Sequence, residues 1–275
     1  MFIQEEKEKA KYFKFSLHPQ DELEQYLNPR FLSVINEETS IDALQPVNIN
    51  IPKKIVIFWH EKELPDDVYA SIEKIKRYNT EYYVELFHTE SAGEFINSHY
   101  GQELYYLYER RCVHPSMKSD FFRICYLAKM GGIYIDVDID CFKSLEEIFK
   151  FYEFDCFLFY SKGKPCCIDN DFIACKANNP IISAVLDKIK ENLTIKRSFS
   201  SVWECTGPGA VSMAILELLM QDILQDDQEN RSLEGLRLAP HKFALRAYSH
   251  QELEYKKTTE GNWRYFRMPS QLYKL

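Results

Sequence analysis

Hydrophobic and polar positions follow two periods along this chain, and the changes of period mark its elements. The apolar, β-branched run IPKKIVIFW (51–59) predicts a buried first strand. Asp66 to Tyr78 predicts an amphipathic helix, and Tyr82 to His88 a second strand. Strand, helix and strand in that order imply a right-handed parallel crossover. Glu90 to Arg111 reads as helical, with Tyr100, Tyr105, Tyr106 and Tyr108 at the spacing of a core face. From Lys118 the pattern sharpens: Phe121, Ile124, Cys125 and Ala128 fall at i, i+3, i+4 and i+7, one helical face. Gly131-Gly132 supplies the left-handed residue that ends a helix. Ile133, Ile135 and Val137 then alternate with Tyr134, Asp136 and Asp138, the period of a strand. Further strands are expected at Phe157–Ser161 and Phe172–Cys175, and a surface helix at Pro180–Asn192. A glycine-proline loop feeds a helix in TGPGAVSMAILELLM (206–220), and LRLAPHKFALRAY (236–248) is a late strand region. Residues 1–50 read as short helices broken at Pro19, Pro29 and Pro46, an appendage to a domain spanning 51–275.

Composition narrows the class. At 275 residues, 45% hydrophobic and 15% aromatic, the chain can bury one sizeable core. A net charge of −8 argues against a general nucleic-acid binder. The charged N-terminus is no secretory signal, and no run reaches the roughly twenty apolar residues of a membrane span. Eight cysteines without a C-x-x-C pair disfavour a zinc site and suggest reduced, mostly buried thiols.

The chemistry concentrates where the central strand runs out. Alternation puts Asp136, Asp138 and Asp140 on one side, and three carboxylates on one edge repel unless a cation sits among them. Aspartate is also depleted in strands, so propensity does not explain the run. Oxygen ligands suit a hard divalent ion, and Mg²⁺ or Mn²⁺ keeps positions open for phosphate oxygens. A calcium-loop reading of 136–147 fails because Cys141 stands where that loop's sharp turn needs glycine. An aspartyl-phosphate reading fails because that nucleophile is expected after the first strand of its fold, whereas a strand and a helix precede this run. Asp120 and Arg123, three apart, can point at one ligand. Asp140, about 6–7 Å further along an extended strand, falls beyond the first shell of an ion held by Asp138.

The stretch SDFFRICYLAKMGGIYIDVDID resembles the signature of glycosyltransferases with a DXD sugar-binding region, glycosyltransferase family 32. It is similar there to the catalytic domains of large clostridial glucosylating toxins. The opening IPKKIVIFW resembles the family's I-P-K-x-I-x-x-x-W, and EGNW (260–263) its closing G-S-W or G-N-W element, although His60 stands where glycine is frequent. The resemblance covers about residues 51–265. It implies a GT-A type α/β fold with a mostly parallel central sheet, and a site at the carboxyl ends of the strands. It implies transfer of a sugar, with retention, from a UDP- or GDP-sugar, using Mn²⁺ or Mg²⁺. Asp138 is then a direct metal ligand, Asp136 a ribose or water-mediated contact, and Asn262 a further ligand. Asp120 and Arg123 would hold the donor sugar, Tyr134 would lie against the ribose or diphosphate, and Trp59 would stack on the base. Trp263 would donate its indole N–H to the leaving phosphate. His250, the histidine nearest the closing element, reads as structural.

The acceptor side stays open. One reading is an enzyme of bacterial capsule or polysaccharide synthesis with a glycan or lipid-linked acceptor, cytoplasmic and in peripheral contact with the membrane. Another is an effector that glycosylates proteins after secretion into a host cell. A third is a catalytically silent nucleotide-sugar binder. The presence of Asp120, Arg123, Asp136 and Asp138 together speaks against the third.

Overall fold

A computed structural model describes residues 33–34, 51–149, 154–161, 167–195, 198–225, 232–258 and 261–268. The helices expected in 1–50 lie outside the described residues, apart from the two-residue strand β1 (Ser33–Val34). The strand β2 (Lys54–Phe58) lies at the centre of the molecule, with Ile55, Val56 and Ile57 fully buried. A strand covered on both faces has no polar side, which is why its sequence is a continuous apolar run. Helix α1 (Asp66–Tyr78) follows, with Asp66 and Asp67 in its first turn and Lys76 and Arg77 in its last, each complementing the helix dipole. The crossover ends in β3 (Tyr83–Phe87), parallel to β2 in the register Lys54–Tyr83 to Phe58–Phe87.

The helical stretch expected from Glu90 to Arg111 is two helices, α2 (Thr89–Tyr100) and α3 (Gln102–Arg110). They part at Gly101, whose φ of +79° is a conformation that suits glycine. Helix α4 (Pro115–Met130) starts three residues earlier than its apolar pattern suggests, with Pro115 in its first turn and the His114 side chain accepting from Ser116 N. It is buried nearly all round from Met117 to Ala128, so its polar Ser119, Asp120 and Arg123 lie inside the protein. Gly131 (φ +65°) turns α4 back into β4 (Gly132–Ile135). A Cβ at Gly131 would stand 2.4 Å from Ala177 N and 2.8 Å from Cys175 O, both backbone atoms. Gly131→Ala is therefore expected to cost at least about 2 kcal/mol, readable as a lowered denaturant midpoint. Unchanged stability would mean that the helix-to-strand junction is looser than described.

After β4 the chain leaves the main sheet. Strand β5 (Ile139–Cys141) pairs antiparallel with a later strand, and a short helix α5 (Glu146–Phe149) follows. Strands β6 (Cys156–Ser161) and β7 (Cys167–Cys175) form an antiparallel pair, and β7 lies against β4. Helices α6 (Pro180–Thr194), α7 (Val202–Cys205) and α8 (Pro208–Gln225) lead to β8 (Leu236–Pro240). A 3₁₀ turn (His241–Arg246), β9 (Tyr248–His250) and a second 3₁₀ turn (Glu254–Lys257) close the fold. The main sheet runs β1-β8-β6-β7-β4-β2-β3, and all of its strands are parallel except β7. Strand alternation sends Val56 and Tyr134 into one core layer with α4, α6 and α8, and Ile55, Ile57 and Ile133 into the other with α1. Two layers over a mostly parallel sheet is the α/β architecture expected from the sequence.

Cys112, Cys125, Cys141, Cys156 and Cys175 are buried thiols outside any disulfide. Among the described residues no helix is long and apolar enough to cross a membrane.

Candidate active site

The site grows from α4. Arg123 is 3% exposed, and its fork is occupied on several sides. Nε donates to Ser119 O (3.3 Å), one terminal nitrogen to Asn170 O, and the other to Ser119 Oγ (2.8 Å). That last nitrogen also pairs with Asp120 Oδ1 (3.3 Å) and Asp136 Oδ1 (3.0 Å), while the guanidinium lies 4.3 Å from the centre of the Tyr134 ring. Asp120 is held as firmly: Oδ1 accepts from Asn170 Nδ2 (2.9 Å) and Oδ2 from Thr206 Oγ1 (3.0 Å). Burial raises the Asp120 pKa, and Arg123, Thr206 and Asn170 oppose it. Thr206 belongs to the glycine-proline loop that feeds a helix; the structure brings it 86 positions back to α4.

The strand expected to carry three aspartates on one side breaks after Ile135. Asp136 N donates to Asp171 O on β7 (2.9 Å), Ile139 N to Asp136 O (3.2 Å), and the chain turns through Val137 and Asp138 into β5. This divides the acidic run. Asp136 and Asp138 stay at the carboxyl end of β4, whereas Asp140 turns away to pair with Lys74 on α1. Like charges on adjacent same-face positions are unfavourable, and the turn relieves them.

Asp136 accepts from Tyr134 Oη (3.0 Å), which also bonds Ser119 Oγ (2.8 Å). Tyr134 is fully buried behind Asp136, so in this structure its influence on a ligand runs through that carboxylate. Burial, opposed by Arg123 and reinforced by Asp138 and Asp171, lifts the Asp136 carboxyl above the ordinary range. Asp138, 5% exposed, behaves oppositely: burial would raise it, but His250 and Lys256 outweigh burial and hold it below that range. Lys256 Nζ bonds Asp138 Oδ2, and His250 Nδ1 lies 3.8 Å from the same oxygen. Asp138 and then Asp171 raise the His250 pKa to about 10, against its burial. His250, read from sequence as structural, thus stands in the acidic centre.

These residues face one cavity of about 1000 Å³ at the carboxyl ends of β2 and β4, the place where open α/β sheets bind ligands. Asp120, Arg123, Asp136, Asp138, Asn262, Trp59 and Trp263 all line it. Trp59 contributes little free surface: it is 4% exposed, its indole N–H donates to Glu63 O (3.2 Å), and Tyr255 meets it edge-on with ring centres 5.0 Å apart. An open indole face there would require Tyr255 or His60 to move. Asn262 donates to Lys256 O (3.1 Å) and accepts from Arg264 N (3.2 Å), which ties the closing element to the lysine that covers Asp138. Trp263 is partly exposed beneath the Arg264 guanidinium, 4.8 Å from its ring centre.

The donor set suits a divalent cation. Two carboxylates share a turn, one of them unfavourably charged as it stands, and the positive groups near Asp138 are a flexible lysine and an imidazole. Lysine carries its charge on a long stem and can withdraw without disturbing the fold.

Comparison with known proteins follows the same residues. The family described as "Glycosyltransferase sugar-binding region containing DXD motif" matches residues 65–155. Two mannosyl phosphorylinositol ceramide synthases of Saccharomyces cerevisiae are each 25% identical to this chain. The first aligns over 158 residues, 58% of this chain and 39% of the relative; the second over 203 residues, 66% and 51%. This chain thus spans about half or less of the length of those relatives. Among solved structures, PaToxG glycosyltransferase has a TM-score of 0.51 at 20% identity, covering 68% of this chain and 83% of that one, a likeness of fold. Residues 65–155, with Asp120, Arg123, Asp136 and Asp138 among them, thus match the model of a glycosyltransferase sugar-binding region containing a DXD motif, in a chain whose fold is similar to that of a solved glycosyltransferase.

Proposed function

We propose that this chain transfers a sugar from a nucleoside-diphosphate donor to a hydroxyl acceptor, with retention of configuration. One observation carries the reading: the Asp136–Asp138 turn and the Asp120–Arg123 pair open into one cavity at the strand ends. Mn²⁺ or Mg²⁺ would be held by Asp138 and Asp136 with Asn262, and when bound it would stabilise the charge growing on the departing diphosphate. The chain's own groups orient the donor. Arg123 fixes Asp120 and Asp136 relative to each other, so that the carboxylates meet the sugar and ribose hydroxyls without rearrangement. Trp263, at the cavity rim, has its indole N–H to offer a phosphate oxygen. Asp120, Asp136 and Asp138 are each already bonded to a cation or to hydrogen-bond donors, so none is presented as a free nucleophile. Front-face substitution, with the leaving phosphate taking the acceptor's proton, fits that arrangement.

The relatives' names carry a mannosyl group and a lipid-borne phosphorylinositol, which supports a glycan or lipid-linked acceptor ahead of a protein. Such an acceptor would bring the chain to a membrane surface from the cytoplasm. Transfer is expected to stop in excess chelator and to return with Mn²⁺ more fully than with Ca²⁺, because two carboxylates on a tight turn favour a small ion. Equal transfer in chelator would remove the cation from the reading.

A further inference from the structure

We infer that Asp171, His241 and His250 form a second cation site, separate from the Asp136–Asp138 turn, for one divalent ion of the borderline class, zinc in the first instance. The three come from different elements: Asp171 from β7, His241 from the start of the 3₁₀ turn and His250 from the end of β9. Asp171 Oδ2, His241 Nε2 and His250 Nε2 converge. The nitrogens are 3.0 Å apart, and the oxygen lies 3.2 Å from His250 Nε2 and 3.6 Å from His241 Nε2. Ligands at bond lengths of about 2.0–2.1 Å on a tetrahedron are about 3.3 Å apart along each edge. The observed triangle thus has the dimensions of one face of a tetrahedral site.

The surroundings agree. The two imidazoles are nearly parallel, 13° between planes and 4.8 Å between centres, and their Nε2 atoms are the atoms brought together, 3.0 Å apart. The other oxygen, Asp171 Oδ1, is buried and accepts no hydrogen bond from the described residues. A cation bound at the same carboxylate offsets that unmet acceptor. Across the His250 ring, Nδ1 faces Asp138 Oδ2 at 3.8 Å, the side from which a carboxylate steadies a metal-bound histidine. All three residues line the cavity, so the remaining coordination position opens onto the ligand space. Two imidazoles and one carboxylate select zinc, iron(II) or cobalt(II) over magnesium. The all-oxygen turn selects the reverse, so the cavity would hold two sites of different preference.

Cobalt(II) distinguishes them by spectrum. The full chain, stripped of metal, is titrated with Co²⁺ and then with Zn²⁺, and visible absorption is recorded with thermal melts of every variant. Wild type is expected to develop the d–d bands of four-coordinate cobalt, saturating at one equivalent and erased by Zn²⁺. His241→Gln and Asp171→Asn should lose the bands, with apparent affinity lowered by roughly 10–100-fold or more. Asp136→Asn should keep them. A folded wild type that shows no four-coordinate bands, or bands unchanged in His241→Gln, overturns the site and leaves a hydrogen-bonded His–His–Asp cluster. Bands present in a protein that transfers no sugar would uphold this site while refuting the proposed activity, so the two claims fail separately.

Discussion

Replacing Arg123 with alanine is expected to destabilise the folded protein by roughly 3–5 kcal/mol, a loss large enough to show before any assay of activity. The guanidinium is the shared counter-charge of Asp120 and Asp136 and also ties down Ser119 and Asn170 O. Its removal leaves Asp120 buried without its cation, and half-buried Asp136 loses the group that opposes its protonation. Domains are stable by only about 5–15 kcal/mol, so the loss is a large fraction of the whole. Arg123→Lys keeps the charge but not the fork, and should fall between wild type and alanine. Urea unfolding of the three proteins measures the effect. An alanine variant with an unchanged midpoint that had lost only sugar transfer would return Arg123 to the direct sugar contact expected from the sequence.

The second large effect separates Asp138 from Asp140. Asp138 faces the cavity, nearly buried, and Asp138→Asn is expected to cost about 3–4 kcal/mol of transition-state stabilisation, some hundredfold to a thousandfold in rate. Asp140 sits beyond the turn, about a third exposed, against Lys74 on α1. A pair so open to solvent contributes at most about 1 kcal/mol, so Asp140→Asn should transfer sugar within roughly fivefold of wild type. Rates at saturating donor and Mn²⁺, with melts to confirm folding, decide between them. Two equally inactive, folded variants would mean that the turn after β4 does not divide the acidic run as described.

Local pattern carried most of the scaffold into the sequence, and long-range contacts withheld much of the site. The predicted and observed bounds of α1 coincide, because its capping charges and its apolar positions Val68, Ile72 and Ile75 agree with one another. The break at Gly101 was available to a reading of glycine alone, but the tyrosines on either side keep a helical spacing that hides it. Alternation predicts one strand from Ile133 to Asp140. It has no means of registering that β5 finds its partner in β9, more than a hundred positions on, and bends the chain to reach it. The DXD turn and Asp120–Arg123 were legible because they lie within one short stretch. Asn170, Asp171, His241 and Lys256 were not, because each looks ordinary in its own segment, and the loop at Thr206 gives no sign of its contact with Asp120. Asn170 and Asp171 sit on the antiparallel strand β7, whose pairing with β4 sets them beside the turn. His250 lies close to the closing element in sequence, but nothing nearby in sequence shows that Asp138 and Asp171 flank it.

Donor cleavage at the Asp136–Asp138 turn is tested most directly by nucleotide release. The protein is incubated with Mn²⁺ and, singly, with each of a panel of UDP- and GDP-sugars, and free nucleoside diphosphate is followed over time. Water serves as the acceptor where no other is known. Wild type is expected to release nucleotide from at least one sugar nucleotide, and folded Asp138→Asn to lose roughly a hundredfold or more of that rate. Release at the wild-type rate by Asp138→Asn, or no release from any donor by folded wild type with Mn²⁺ present, would contradict donor cleavage at this turn.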